Sequence, residues 1–492
     1  MLIKRGERAK DTYDVIVIGS GLSGMTAANV AAKNGRKVLL LEAHNKLGGL
    51  ATWFFREEKR YIFDVSLHGF PFGMKKTMQR YWSKNIADQI IQLKDVRFIN
   101  PQFEISTDYT KEHFTNILVN KFFVPSEKVD AFFNYIEKMN FYDKEQMTVG
   151  ELFETFFPGR NDVTRLLMEP ITYANGSTLS DPALTYAIVF SNFMGKGVYT
   201  FKGGTDQLIK QMRDELLSNH VDIMMNAKAS DVLVENDHKM VTVNNQKIKS
   251  SAVISNANLH HTIFGLLKNY SFDPSFLEKA KAVRMNSSSC QVYMALKENE
   301  SIPFIGDLIF TSTHPTYNAD ALLSSNITSR TFSIYYPELR PGDGEGSGKY
   351  YIVSSTNAHY EDWKKLSPDE YKMAKEKMIS ETIEALENIL PDIKKKIAFI
   401  DAATPITVES FTHHYRGASF GTKFEGLEVS MNLHKEVPGF FHSGSVGIIM
   451  SGWLGAANYG VIQANNLESY LNSIHLQNSK PNNKSSEHES TI

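Results

Sequence analysis

The stretch that decides the fold is Asp14-Val-Ile-Val-Ile18, followed at once by Gly19-Ser-Gly-Leu-Ser-Gly24. A short run of β-branched residues is typical of a strand that is covered on both faces in a parallel sheet. The residues from Met25 to Asn34 predict a helix, because small side chains recur along one stripe and Gly35 is placed to end it. A second strand is predicted from Lys37 to Glu42. Together these segments predict a strand–helix–strand unit of the Rossmann type.

The glycine loop has the spacing that a bound dinucleotide requires. Gly19 permits a tight turn, Gly21 lets the backbone approach a pyrophosphate, and Gly24 lets the helix pack closely on the strand. The N-terminus of the helix supplies N–H donors to the anion. Glu42 ends the second strand, where a carboxylate accepts ribose hydroxyls and repels the 2′-phosphate of NADP. The competing interpretation is a glycine turn without a ligand, but the flanking strand and helix favour a dinucleotide.

Composition argues against several classes of protein. The 492 residues are enough for roughly two or three domains. With 53 Lys and Arg against 55 Asp and Glu, the net charge of −2 provides no global field to attract nucleic acid. The single cysteine, Cys290, predicts no internal disulfide, and no Cys/His grouping predicts a metal site. The first residues lack the apolar core of a secretory signal, and the glycine-rich run from Pro438 to Leu467 is not expected to span a membrane.

Two further glycine segments distinguish FAD from NAD. The segment Glu42-Ala-His-Asn-Lys-Leu-Gly48-Gly49 resembles an extension found in flavoproteins with two dinucleotide-binding domains, where the second glycine pair meets pyrophosphate and ribityl. Towards the C-terminal end, Gly439-Phe-Phe-His-Ser-Gly444-Ser445 has the form of the last strand that leads to the ribityl side of the flavin in such proteins. Three separated segments therefore predict one bound FAD.

Segments typical of a nucleotide-binding domain alternate along the chain with aromatic segments that mix strands and helices. We expect an α/β fold, α+β overall, in which a Rossmann-type FAD-binding domain is interleaved with a mixed α/β substrate domain. The predicted FAD-binding domain comprises residues 1–75, 199–275 and 405–475, the substrate- and membrane-associating domain comprises 76–198 and 276–404, and 476–492 form a disordered tail.

With these motifs the chain resembles the phytoene desaturase-like FAD oxidoreductases, which include carotenoid desaturases, carotenoid isomerases and retinol saturases. The resemblance covers nearly the full length. It is carried by GSGLSG with EAHNKLGG, Phe63-Asp64, Tyr199–Gly204, Ser255–Ala257, Thr404–Thr407, Arg416–Ala418 and Gly444–Gly455. The cofactor-binding residues predicted from the motifs and the resemblance are Gly19, Gly21, Leu22, Ser23, Gly24, Glu42, Ala43, Gly48, Gly49, Leu50, Ala229, Gly444, Ser445, Gly452, Trp453 and Leu454.

The chain departs from this family close to the expected flavin. Leu50 and Ala51 follow Gly49 where many relatives place an arginine and a small residue. Gly447-Ile-Ile-Met450 stands where desaturases often show Thr-His-Pro-Gly, so a more apolar wall is expected on the substrate side of the flavin. His68 lies beyond the usual Phe-Asp pair, which is more typical of isomerase and saturase relatives.

The resemblance implies an FAD-dependent carotenoid desaturase that dehydrogenates an acyclic carotenoid end by hydride transfer to the flavin. A neighbouring carbon also loses a proton, and the candidate catalytic groups that collect it are His68, Glu409, His413 and His414. A carotenoid cis–trans isomerase, a polyene saturase, an amine oxidase and a non-catalytic flavin- or lipid-binding protein remain alternatives. Oxygen or a quinone is the expected electron acceptor.

A carotenoid resides in a lipid bilayer, so the resemblance also implies contact with the bilayer surface. We expect a cytoplasmic protein that is peripheral to the inner face of the membrane. The basic residues Lys4, Arg5, Arg8 and Lys10 are candidates for contact with anionic lipid, and a solvated, frayed tail is the alternative. The aromatic segment at 120–160 is a candidate for an apolar entrance, and simple core packing is the more common interpretation of such rings.

Overall fold

The computed structural model describes residues 1–66, 68–139, 147–235, 237–341 and 346–478. It contains an eight-stranded sheet and a seven-stranded sheet with helices around them, which confirms the predicted α/β fold class. From residue 479 onward, the predicted disordered tail lies outside the described residues, whereas 476–478 belong to the last helix.

The eight-stranded sheet contains the Rossmann unit. Across it the strands are β1 (Leu2–Ile3), β11 (Asp222–Met224), β3 (Val38–Leu41), β2 (Thr12–Ile18), β14 (Gln246–Ser255), β13 (Lys239–Val243) and β12 (Ala229–Val234), and β20 (Phe440–His442) also pairs with β14. The neighbouring strands β1, β11, β3, β2 and β14 run parallel to one another, and β20 runs parallel to β14. Strand β13 is antiparallel to both of its neighbours, β14 and β12. Val15, Val17 and Leu40 are fully buried, as expected for strands covered on both faces.

The seven-stranded sheet is mixed. Its order is β19 (Ile397–Ala403), β15 (Ser288–Leu296), β18 (Tyr351–Ala358), β17 (Ser329–Tyr335), β16 (Leu308–Ser312), β8 (Val96–Asn100) and β9 (Phe103–Thr107). All neighbours are antiparallel except β16 and β8. Two smaller sheets are the hairpin of β4 (Trp53–Arg56) and β5 (Tyr61–Asp64), and the set of β6 (Phe70–Pro71), β10 (Val198–Phe201) and β7 (Ile90–Gln92).

Several helices begin at side-chain caps that the sequence supplies. At Ser367 the hydroxyl accepts the N–H of Glu370, whose carboxylate accepts the N–H of Ser367 in return. The helices are α1 (Leu22–Lys33), α2 (Gly73–Tyr81), α3 (Lys84–Asp88), α4 (Lys111–Asn116), α5 (Ser126–Lys138), α6 (Val149–Phe156), α7 (Asn161–Asn175), α8 (Ala183–Met194), α9 (Gly204–Ser218), α10 (Leu259–His261), α11 (Pro274–Ala282), α12 (Ala319–Leu323), α13 (Tyr360–Lys364), α14 (Pro368–Glu387), α15 (Ile393–Lys396), α16 (Pro405–Thr412), α17 (Glu425–Glu436) and α18 (Gly452–Asn478).

Helices cover both faces of the eight-stranded sheet. On one face, α1, α9 and α18 contribute Ala28, Leu208 and Leu467 to the core. On the other face, α17 contributes Leu433. Residues of α2 and α3 also join the first core, although the sequence analysis assigns 76–198 to the substrate domain. The domain boundaries therefore stay predictions.

The two faces of the seven-stranded sheet differ. Along β15, Val292 and Met294 pack in one core with Met378 and Leu386 of α14. The alternating residues, of which Gln291 is one, point to the opposite face. That face is turned towards the cavity described below.

The described aromatic residues of the segment 120–160 mostly form core. Phe132, Phe133, Phe153 and Phe157 are at most 3% exposed and pack together. These rings therefore favour the core interpretation over an apolar entrance, because they pack the helices against one another, whereas Phe123 of the same segment is 81% exposed. Residues 140–146 of this segment lie outside the described residues. No helix in the described part of the chain has the length and apolar character needed to cross a bilayer.

His442 makes the fold sensitive to acid. Its ring is fully buried at the end of β20, between the Ser430 hydroxyl and the carbonyl oxygen of Ala257. Burial lowers the pKa of His442 to about 4. Because the unfolded chain binds the proton first as the pH falls, the native state loses stability from about pH 6.5 down to about pH 4.

We expect His442→Gln, which keeps hydrogen-bonding groups but does not titrate, to reduce the difference in unfolding free energy between pH 8 and pH 5 by about 2 kcal/mol. Urea unfolding at the two pH values measures this difference. The exposed His359 provides the control, and His359→Gln should leave the difference unchanged. An unchanged difference in His442→Gln would contradict the assignment.

Candidate active site

A cavity of about 970 Å³ lies where the eight-stranded sheet meets the seven-stranded sheet. It opens from the carboxyl ends of β2 and β3, the edge of a parallel α/β sheet at which ligands bind. The predicted cofactor residues that line it are Gly19, Gly21, Leu22, Ser23, Glu42, Ala43, Gly48, Gly49, Leu50, Ala229, Ser445, Gly452, Trp453 and Leu454. Gly24 and Gly444 do not line it.

The two N-terminal glycine segments touch each other. The N–H of Gly48 donates to the carbonyl oxygen of Ser20 at 2.9 Å, and Gly21 and Gly48 form an isolated parallel bridge. A Cβ atom on Gly49 would lie 3.1 Å from Gly21 Cα, and Gly49 has φ +61°. Segments that are distant in the sequence therefore form one continuous backbone surface at the edge of the cavity.

Gly24 sets the spacing between α1 and the sheet rather than the surface of the cavity. A Cβ atom there would lie 2.1 Å from the carbonyl oxygen of Gly19. It would also lie 2.8 Å from Oδ1 of Asn256, which follows β14. The helix can approach the strand only because this side chain is absent.

Glu42 is held in a fixed orientation at the end of β3. Its carboxylate accepts hydrogen bonds from the backbone N–H and hydroxyl of Ser20 and from the backbone N–H of His44, with N···O distances of 2.9 and 2.7 Å for the two N–H groups. The side chain is half-buried and lines the cavity. A carboxylate oriented in this way is suited to accept the hydroxyls of a ribose.

The residues present fit FAD. The N-terminus of α1 has neither a side-chain cap nor an acidic residue in its first turn, so its N–H groups are suited to a pyrophosphate. At the same place, Ser23 Oγ and Asn256 Oδ1 are buried and have no hydrogen-bond partner among the residues that the structure describes. A Cβ atom on Gly21 would fill this cradle, 2.7 Å from Asn256 Oδ1. Glu42 would hold the ribose, and the glycine loops would hold the phosphates.

The expected apolar wall lies on the cavity. Ile448, Ile449 and Met450 line it directly before α18, which begins at Gly452 as expected. Ile448 has φ +63°, an unfavourable conformation for a β-branched residue, and is only 3% exposed. Next to this wall, Trp453 stacks on Phe70 with ring centroids 5.5 Å apart. Hydrocarbon therefore surrounds this section of the cavity.

His68 lines the cavity beneath the seven-stranded sheet. Its Nδ1 lies 2.9 Å from the hydroxyl of Ser333, and its Nε2 lies 3.5 Å from the amide nitrogen of Gln291. Burial lowers the pKa of His68 to about 4, so the imidazole is neutral at physiological pH.

The other predicted catalytic residues lie apart from His68. Glu409 does not line the cavity; it accepts a hydrogen bond from the Tyr360 hydroxyl at 2.6 Å and one from the backbone N–H of Arg416. His413 is exposed and ends α16 at one edge of the cavity. His414 also lines that edge, and burial lowers its pKa to about 4. The structure therefore does not bring these groups together into one catalytic cluster.

Sequence reasoning missed the polar residues that the seven-stranded sheet contributes to the cavity. Ser289, Gln291 and Tyr293 all line it. Their spacing by two in the segment Ser288–Leu296 was the available signal, because such spacing places side chains on one face of a strand. In the described part of the chain, no three His, Cys, Asp or Glu side chains gather closely enough to hold a metal ion.

Asp64 and Arg340 form a buried ion pair near the cavity. Asp64 accepts hydrogen bonds from the N–H and hydroxyl of Thr205, at 2.9 and 2.6 Å, and from the guanidinium of Arg340 at 2.8 Å. Arg340 also pairs with Asp206 at 2.7 Å. Both Asp64 and Arg340 are buried. The pair joins the β4–β5 hairpin, the start of α9 and the segment after β17.

Comparison with known proteins agrees with this geometry. Residues 17–84 match the NAD(P)-binding Rossmann-like domain family. The chain is 22% identical to the all-trans-retinol 13,14-reductase of Danio rerio, over 85% of this chain and 80% of that protein. It is 23% identical to the chloroplastic prolycopene isomerase of Daucus carota, over 80% of this chain and 69% of that protein.

A solved structure shows the same fold over nearly the whole chain. The oxidoreductase from Methanosarcina mazei aligns with a TM-score of 0.65 and 15% identity, over 93% of this chain and 99% of that one. The glycine loops, the oriented Glu42 and these relatives support one assignment. The chain is similar to carotenoid desaturase- and isomerase-like FAD oxidoreductases, and it is an FAD-dependent oxidoreductase.

Proposed function

We propose that the protein is a desaturase that dehydrogenates an acyclic carotenoid with FAD. The observation that carries this proposal is the apolar wall of Ile448, Ile449 and Met450 beside the glycine loops. The cavity continues from there between further apolar residues, which include Ile171, Val189, Phe193, Leu308 and Phe310. A long hydrocarbon fits such a lining. The two relatives named above are named for a retinol and for prolycopene, both conjugated isoprenoids.

Desaturation forms a C=C bond as one carbon loses a hydride and its neighbour loses a proton. FAD, when bound, supplies the hydride acceptor. The apolar wall would hold the hydrocarbon in place and exclude water from it. Among the predicted candidates we assign proton collection to His68, which is neutral and lines the cavity. A weak base is sufficient, because conjugation stabilises the developing cation and its loss of a proton is favourable.

Redox-neutral isomerisation is the second candidate function. The position of His68 beside the cavity favours it, since such a histidine is more typical of the isomerase and saturase relatives. The prolycopene isomerase among the similar proteins is named for that reaction.

Anaerobic mixing of the oxidised holoenzyme with phytoene distinguishes the two functions. For a desaturase we expect stoichiometric bleaching of the flavin absorbance and a product with a longer chromophore. Dioxygen or a quinone, the proposed electron acceptors, should then restore the flavin. A fully saturated carotenoid of the same chain length serves as the control and should leave the flavin oxidised. A product of unchanged mass, formed only by pre-reduced enzyme, would contradict desaturation and establish isomerisation.

We also propose that the protein is cytoplasmic and binds the inner face of the membrane peripherally. Lys4 and Arg5 are exposed and follow β1 at the carboxyl edge of the eight-stranded sheet, the edge at which the cavity lies. Phe411 is 63% exposed and lines the cavity at α16, which places an apolar ring at its edge. Lys10, in contrast, is paired with Asp222 at 2.9 Å.

The double variant Lys4→Glu with Arg5→Glu is expected to weaken sedimentation with anionic liposomes by about tenfold, because it reverses charges next to a negative surface. Added salt should weaken the wild-type binding as well. Lys372→Glu with Lys394→Glu, at exposed positions on α14 and α15, is the matched control and should bind as the wild type does. Equal loss in both double variants would contradict a specific role for Lys4 and Arg5.

A further inference from the structure

The floor of the cavity carries a row of polar side chains on the seven-stranded sheet. Gln291 of β15 lies opposite Ser355 of β18, which lies opposite Thr331 of β17. All three line the cavity, and so do Ser289 and Asn357, which form the next cross-strand pair. A hydrocarbon ligand would form no hydrogen bonds with these polar side chains.

Part of this row is satisfied within the protein. The hydroxyl of Thr331 donates to the carbonyl oxygen of Ser355 at 3.3 Å, and the amide of Asn357 donates to the carbonyl oxygen of Thr172 at 3.0 Å. The hydroxyl of Ser289 lies 3.0 Å from that of Ser419. The side chain of Ser355 is half-buried and lines the cavity, so its hydroxyl can be reached by a ligand or by water.

Gln291 presents its amide nitrogen towards the cavity. Its Oε1 accepts a hydrogen bond from the Tyr293 hydroxyl, which fixes the orientation of the amide group. Its Nε2 then faces His68 Nε2 across 3.5 Å, a distance that leaves this contact weak. Gln291 is only 7% exposed, so an N–H that finds no good acceptor there is costly.

The row carries no net charge that would select an ion. His68 is neutral, because burial lowers its pKa to about 4. Asp401, at the edge of the same floor, is paired with Arg56 at 2.8 Å and with Lys375 at 3.3 Å. Neutral donors and acceptors of this kind match an uncharged hydroxyl or carbonyl rather than a carboxylate or an amine.

We propose that the substrate is an isoprenoid that carries a neutral oxygen, a hydroxyl or a carbonyl, and that Gln291 and Ser355 determine this specificity. The proposal rests on the proposed polyene substrate and makes it more specific. A plain hydrocarbon in the same position would exclude water and leave the amide nitrogen of Gln291 and the hydroxyl of Ser355 without a good hydrogen-bond partner, so the site discriminates against it.

Two ligands that differ only in one oxygen test the proposal. The acyclic polyene 4,4′-diapolycopene and its terminal mono-alcohol are titrated into the oxidised holoenzyme, and quenching of tryptophan fluorescence reports binding, because Trp53 and Trp453 line the cavity. The wild type is expected to bind the alcohol about tenfold more tightly. Gln291→Leu is expected to reduce this preference to about twofold or less without weakening the binding of the hydrocarbon.

Ser355→Ala is a second, smaller change, which keeps the proposal testable if Gln291→Leu does not fold. It should also lower the preference for the alcohol. Cys290→Ala is the matched control, because Cys290 lies on the same strand but packs in the core on the opposite face. Equal or tighter binding of the hydrocarbon by the wild type would overturn this inference and leave the proposed function intact. Failure of both ligands to bind, together with unbleached flavin in phytoene mixing, would overturn the proposed function and this inference with it.

Discussion

Replacing Glu42 with arginine is expected to yield a purified protein that is colourless. The carboxylate is fixed by Ser20 and His44 at the point where a ribose would lie, and arginine would replace an acceptor with a donor. The larger cation would also occupy space between the two glycine loops. We expect FAD occupancy to fall by at least about tenfold, since an oriented hydrogen-bond acceptor at a buried ligand contributes roughly 1–3 kcal/mol.

The ratio of flavin to protein absorbance after gel filtration measures this occupancy. Glu278→Arg is the matched control: it makes the same charge change at an exposed position on α11 and should leave the protein yellow. A yellow Glu42→Arg protein with full occupancy would show that Glu42 does not hold the cofactor.

Arg340→Met is expected to cause the largest loss of stability among the changes considered. Arg340 and Asp64 are 8% and 5% exposed, and removal of the guanidinium leaves the Asp64 carboxylate buried without its cation. Loss of one partner from a buried pair costs about 3–5 kcal/mol. Urea unfolding should report a loss of this size.

Arg213→Met removes an arginine from an exposed pair with Asp214 and should change the unfolding free energy by less than about 0.5 kcal/mol. The double variant Arg340→Met with Asp64→Asn should recover part of the loss, because it removes the unpaired charge. A loss below about 1 kcal/mol in Arg340→Met would mean that the pair does not hold these segments together.

The dinucleotide-binding half of the site could be predicted from the sequence, because the signals for it are local. The first strand and helix were predicted at 14–18 and 25–34 and are found at Thr12–Ile18 and Leu22–Lys33. The glycine spacing, the β-branched run and the terminal carboxylate all act within a few residues of one another. Such short-range constraints are fully present in the sequence.

The substrate half of the site depends on how distant segments pack. Glu409 and His413 are four residues apart, a spacing that would place both on one helix face, but only His413 lines the cavity, because it ends α16 with φ +57° and leaves the helix. Gln291 lies in a strand whose residues are nearly all buried, so alternation groups Ser289, Gln291 and Tyr293 on one face but does not show that this face meets a cavity. Arg340 follows β17 far along the chain from Asp64, and no local pattern indicates their contact.

The pairing of β14 with β20 has a consequence for how the protein is made. Val253 lies beside Phe440, so the eight-stranded sheet is complete only after most of the chain has left the ribosome. Sheets closed by such remote segments form slowly, because loop entropy is lost before the contacts form. Until β20 has been synthesised, the edge of β14 from Val253 to Ser255 therefore lacks the strand that pairs with it in the folded protein. Because Ser445 and Gly452, which also line the cavity, follow β20, the flavin site is complete only after these late residues have been synthesised.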